Sequence, residues 1–81
     1  MAVEFPESRI REIKERHEPE LLAAPGVVGV GIGELRGPSG QVRLCIRIYV
    51  EKRDEETLRG LPASIEGIPT GIEEVGKPSL R

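Results

Sequence analysis

Hydrophobic positions along the chain follow two periods, and the change from one to the other locates the elements. Across residues 8–17, Ile10, Ile13 and His17 recur at steps of three and four, with Arg9, Arg11, Glu12, Lys14 and Glu15 on the other sides. That spacing predicts an amphipathic helix, and Glu12 four residues before Arg16 adds a favourable intrahelical pair. Pro19 has no backbone N–H to give. The pattern therefore predicts a kink or restart there, with a short second helical piece carrying Leu21, Leu22 and Ala23. Pro25-Gly26 ends it.

From Val27 the period becomes two. Val28, Val30 and Ile32 alternate with Gly29, Gly31 and Gly33, which predicts a strand over 27–35. A second strand over 41–51 places Val42, Leu44, Ile46, Ile48 and Val50 on one face and Arg43, Cys45, Arg47 and Tyr49 on the other. Gly37-Pro38-Ser39-Gly40 is turn chemistry, so the two strands form an antiparallel hairpin. Their apolar faces coincide only with Ile32 opposite Ile46, or in a register two residues away, because a one-residue slip turns every side chain over. Asp54 is placed to cap a short helix over 54–59, with Glu55 and Glu56 at its positive end and Gly60 at its close. Residues 68–75 supply a third strand, which Pro69 confines to an edge or to the strand start.

These elements predict a single α+β domain over 1–81, a two-layer sandwich in α-β-β-α-β order with helices on one face of a small, mostly antiparallel sheet. A further strand at residues 1–5 would instead complete a βαββαβ, ferredoxin-like layout. The core is expected over about 8–76, with a loose tail at 77–81. With 81 residues, one Phe, one Tyr and no Trp, the core must be built from Val, Ile and Leu. Pairing with a second copy or another protein would extend so thin a core.

Composition excludes more than it assigns. Twelve basic against 14 acidic side chains, a net charge of −2, leave no broad positive surface for nucleic acid. No apolar run approaches the roughly 20 residues of a membrane helix. The start, Met1-Ala2-Val3-Glu4-Phe5, lacks the basic and apolar pattern of a signal peptide, so a cytoplasmic location is expected. Cys45 is the single cysteine, which rules out an internal disulfide and a Cys-rich zinc site.

Two motifs imitate chemistry and fail. Gly29-Val30-Gly31-Ile32-Gly33 looks like the start of a dinucleotide fingerprint, but no glycine stands at the final position and a turn and strand follow instead of a helix. Residues 71–78 resemble a phosphate-binding loop, yet Pro78 replaces the magnesium-binding hydroxyl and Glu73 and Glu74 would repel the anion. His17 and Cys45 read as packing residues rather than as a base and a nucleophile. No catalytic, cofactor-binding or metal-binding residue is therefore expected, and no cofactor.

One surface remains. Gly29, Gly31 and Gly33 leave one strand face nearly flat, so that a helix, a second subunit or a ligand can pack closely. Arg43, Arg47 and Tyr49 stand beside them, and two arginines with a tyrosine can receive a carboxylate or another anion. These six residues form the candidate interaction face. The expected function is a noncatalytic protein-interaction or self-association module acting through that face or a sheet edge. A domain binding a small anionic ligand on the same face is the alternative.

The series Pro25-Gly26-Val27-Val28-Gly29-Val30-Gly31-Ile32-Gly33, Cys45-Ile46-Arg47-Ile48-Tyr49-Val50-Glu51-Lys52, Leu61-Pro62, Ile65-Glu66-Gly67-Ile68-Pro69 and Glu73-Glu74-Val75-Gly76 resembles a small bacterial α/β module. That module occurs alone or ahead of trypsin-like serine protease domains. The resemblance covers about residues 21–76 and implies a domain identity. It brings no catalytic triad and no site residue. The order of elements is also similar to heavy-metal-associated, ferredoxin-like domains, but their CxxC loop is missing. A structural metal would contribute folding energy directly, so EDTA is expected to leave the denaturant midpoint unchanged. A fall in that midpoint would reveal a metal site.

Overall fold

A computed structural model describes residues 6–76; the expected strand at 1–5 and tail at 77–81 lie outside the described residues. The elements follow in the order α1 (Glu7–Leu22), β1 (Val27–Arg36), β2 (Val42–Val50), α2 (Glu55–Arg59), β3 (Ser64–Ile65) and β4 (Ile68–Glu74). The four strands form one mixed sheet in the order β1-β2-β4-β3. The fold is α+β, with the α-β-β-α-β order expected and β3 added as a two-residue strand.

The hairpin carries the register that its hydrophobic pattern requires, with Ile32 opposite Ile46 and Val30 opposite Ile48. Its turn is closed by Gly37 N–H donating to the Gln41 carbonyl at 2.7 Å and Gly40 N–H to the Gly37 carbonyl at 3.0 Å. Gly40 sits at φ +87°, a conformation that a side chain would strain. On the inner face Ile46, Ile48 and Val50 are fully buried, and Ile10, Ile13 and Leu21 of α1 pack into the same cluster.

β4 lies parallel to β2, with Ile46 opposite Thr70 and Val50 opposite Glu74. A parallel neighbour needs a crossover of about a dozen residues or more, and residues 51–67, which include α2 and β3, supply it. Pro69 stands one residue before the β2 pairing begins at Thr70, so its missing N–H costs no ladder bond there. β3 and β4 are joined by Glu66 at φ +50° and Gly67 at φ +86°. Two successive positive φ values are the signature of a type I′ hairpin turn.

Three expectations need correction. The helix does not restart at Pro19; α1 runs through it as one 16-residue helix. An interior proline costs roughly 3 kcal/mol. Burial of Leu21, 6% exposed beyond it, returns about 1.5–3 kcal/mol, and a break would swing Leu21 out of line with Ile10 and Ile13. Val28 does not share the buried face. A bulge between Val27 and Gly29 leaves Val28 as the extra residue, and Val27 pairs with Val50 instead. Val27 then packs on the core while Val28 is 38% exposed. Finally, the second layer is α1 alone. Although α2 carries the expected Asp54 cap, which accepts from Thr57 N–H at 2.8 Å, it buries no residue.

Ile46 is central to the inner cluster and fully buried. Ile46→Ala is expected to cost about 2–5 kcal/mol, read as a lower urea midpoint with an unchanged slope. An unchanged midpoint would place Ile46 outside the core.

Candidate functional site

The face of the sheet turned away from α1 holds the residues singled out by the alternation. Arg47 stands opposite Gly31 on β1 and Gly71 on β4, so glycine flanks it on both neighbouring strands. The room is used by the domain's own side chains. A Cβ on Gly29 would meet the Tyr49 ring at 3.5 Å, one on Gly31 would meet it at 3.4 Å, and one on Gly33 would lie 2.5 Å from Arg47 Nε. The glycine face is thus covered by the domain's own Tyr49 and Arg47 side chains.

Leu35 completes this outer cluster. Its Cδ2 comes within 3.3 Å of where a Gly71 Cβ would lie, although β2 separates the two strands. The Leu35 side chain thus reaches over β2 toward β4, and Cys45 is fully buried. Burial pushes the Cys45 thiol pKa up, with Arg47 and the Gly33 backbone opposing it in part, so the thiolate is disfavoured. Cys45 lies on the outer face whereas His17 belongs to α1 on the inner side, and the two are not brought together. The Arg47 guanidinium donates to the Glu34 carbonyl at 2.8 Å and reaches Glu73 at 3.5 Å. An anion arriving at this face would have to displace Glu73. Arg43 is exposed, and no ion pair joins it among the described residues. Residues 71–74 form the end of β4 rather than a phosphate loop.

A second site was not foreseen. A groove of about 580 Å³ opens between the C-terminal half of α1 and the segment running from α2 into the β3–β4 turn, with His17, Leu21, Leu61, Ile65 and Glu66 in its walls. His17 Nε2 lies 2.8 Å from Glu66 Oε2, and Arg16 donates to the same oxygen at 3.0 Å. These contacts fasten the hairpin turn to the helix. The hydrogen bond with His17 is the main reason that the Glu66 carboxyl is held below the usual glutamate range; burial opposes it and the Arg16 charge assists. Ser64 also lines the groove and makes no hydrogen bond to His17 among the described residues. The sequence signal for Glu66 was weak: Gly67 between two isoleucines marks a turn, but glutamate is not among the residues that favour positive φ at the first turn position.

The third feature is the outer rim of β1, which ends the sheet. The Gly37–Gln41 bond sets the alternation of the ladder. Leu35, Gly33 and Gly31 therefore turn their N–H and C=O groups toward β2, while Glu34, Ile32 and Val30 turn theirs outward. Arg47 occupies the outward carbonyl of Glu34. No other backbone group among the described residues pairs with this rim.

No family model, curated protein or solved structure matches the chain. Among the described residues no helix is long and apolar enough to cross a membrane, and no group of three or more His, Cys, Asp or Glu could hold a metal ion.

Two measurements probe these contacts. Gly33→Ala must move Arg47 off the Glu34 carbonyl, so it is expected to cost about 1 kcal/mol more than Gly29→Ala, whose Cβ meets Tyr49 at ordinary contact distance. Equal urea midpoints for the two variants would show that the Arg47 contact contributes nothing. Glu66 has a lower pKa folded than unfolded, so its contribution is complete above the unfolded glutamate value and is lost as pH falls through the folded one. Glu66→Gln is accordingly expected to flatten the acid limb of stability between about pH 5 and 3. Parallel acid limbs for the two proteins would remove Glu66 from the account.

Proposed function

We propose that this domain is a noncatalytic protein-interaction module that associates by adding a strand to the β1 rim, with a second copy of the chain as the first partner. The observation that carries this reading is the ten-residue strand β1 at the edge of the sheet. Edge strands are usually protected by charges, proline or cover, because their unpaired N–H and C=O groups template pairing with another chain. From Val28 to Gly33 the rim holds neither charge nor proline, and the outward groups of Val30 and Ile32 are unpaired among the described residues. Strand addition would satisfy them and extend the sheet, a mode in which main-chain hydrogen bonds supply the affinity. The small aliphatic core gives the same direction, since association adds burial that a short chain lacks. Anion binding on the outer face is the weaker reading, because Arg47 already holds Glu34 and Glu73.

Glu34→Pro tests the proposal with little disturbance to the fold. Glu34 is exposed and its N–H points outward, so proline removes a rim donor and leaves the β2 ladder intact. Light scattering coupled to size exclusion is expected to show a dimer for the unaltered chain and a monomer for Glu34→Pro. Hydrogen exchange at Val30 and Ile32 should be slow in the first and fast in the second, and exchange at Glu34 should be slow in the unaltered chain. An unaltered chain that stays monomeric, with fast exchange at all three amides, would overturn self-association through this rim.

A further inference from the structure

The groove beside α1 is separate from the β1 rim and from the outer face, and it has a chemistry of its own. We infer that it binds a small zwitterion carrying an aliphatic group, an amino acid or a short free peptide. Its floor is apolar, made by Leu21, Ala24, Leu61, Pro62 and Ile65. Its volume of about 580 Å³ is in the range of small-molecule sites, where an apolar lining with a few polar groups fixes the orientation of the ligand.

Beyond the Glu66 contacts, one exposed acid stands on the α1 side and one exposed base on the other, each loosely held. On one side α1 ends with no basic residue in its last turn, so the partial negative charge of its free carbonyls is uncompensated. Glu18 has Lys14 at 3.1 Å, but Glu20 is 85% exposed and its ionic contact is the His17 ring at 3.8 Å. On the other side Arg59 is 75% exposed and touches Glu55 at 3.7 Å. Glu66 is committed to His17 and Arg16 and serves as fixed wall. A plain anion would meet the negative helix end, and a plain cation would meet Arg59. A zwitterion satisfies both: its ammonium lies toward Glu20 and the α1 terminus, its carboxylate toward Arg59, and its side chain on the floor.

The dipeptide Leu-Leu is a suitable probe, titrated into the isotope-labelled chain and followed by amide shifts. Saturable shifts are expected at Leu21, Ala24, Leu61 and Ile65. Capping either terminus of the probe, as N-acetyl-Leu-Leu or as Leu-Leu amide, is expected to weaken binding about threefold, the size of an exposed ion pair. Glu20→Gln should erase the penalty for acetylation and Arg59→Gln that for amidation, which identifies the pairings by double-mutant logic. Gly-Gly, with both charges and no aliphatic group, should produce no saturable shift. Absence of saturation with Leu-Leu, equal affinity of all three leucine probes, or binding of Gly-Gly as tight as Leu-Leu would each overturn the inference. Glu34→Pro should leave the titration unchanged, so failure at the β1 rim and failure at the groove are read separately.

Discussion

Burial of β2 on both of its faces is the constraint on which the rest of the structure depends. On the inner side Ile46, Ile48 and Val50 have no exposed surface, and on the outer side Cys45 has none. A chain of this length with a single Phe, a single Tyr and no Trp cannot build a deep core from one apolar stripe. It places its most aliphatic strand between two neighbours, covers one face with α1, and closes the other with Leu35, Arg47 and Tyr49. The two faces are asymmetric in chemistry. The inner one is packed by branched aliphatics, as an α+β sandwich requires. The outer one is roofed by long side chains lying flat over glycines, so their stems exclude water while a charged or hydroxyl tip stays at the surface.

The glycines follow from this arrangement. Arg47 and Tyr49 can lie across β1 only because the positions beneath them carry no Cβ, and the same bareness at Gly71 lets Leu35 come across from β1. A side chain at each of these points would meet Tyr49, Arg47 or Leu35 where they now lie. The glycine run is thus a packing device within the monomer. It also leaves β1 with little side-chain bulk at its outer rim, which is the physical link between the outer cluster and the strand-pairing function proposed for that rim.

Polar contacts at the periphery position elements more than they stabilise them. The Arg47 bridge from Glu34 to Glu73 ties β1 to β4 across β2, and the Glu66 contacts with Arg16 and His17 tie the β3–β4 turn to α1. All are partly solvated, where ion pairs contribute little net free energy. Their effect is geometric. Glu66 occupies a left-handed conformation that a non-glycine residue rarely takes, and its side chain then reaches the helix and forms one end of the groove. α2 carries its own cap and buries no residue, with Thr57 set against Gly26, and it leads into the groove wall that faces α1.

Local pattern determined a great deal here. The period-two runs identified the hairpin, and the need for both apolar faces to coincide selected Ile32 opposite Ile46. Asp54 three residues before Thr57 identified its cap. The same sequence could not show that α1 would continue through Pro19, because that depends on the burial of Leu21 in the tertiary core. Nor could it show the bulge that turns Val28 outward, since the extra residue is set by where β1 must meet Val50. The parallel pairing of β2 with β4 was likewise hidden, being a contact between segments more than 20 residues apart. Arg43, Arg47 and Tyr49 were read as an open face from alternation alone. Only tertiary packing decided that Arg47 and Tyr49 would fold down onto Gly29, Gly31 and Gly33, because alternation tells which side of the sheet a side chain leaves from and not what it lies against when it gets there.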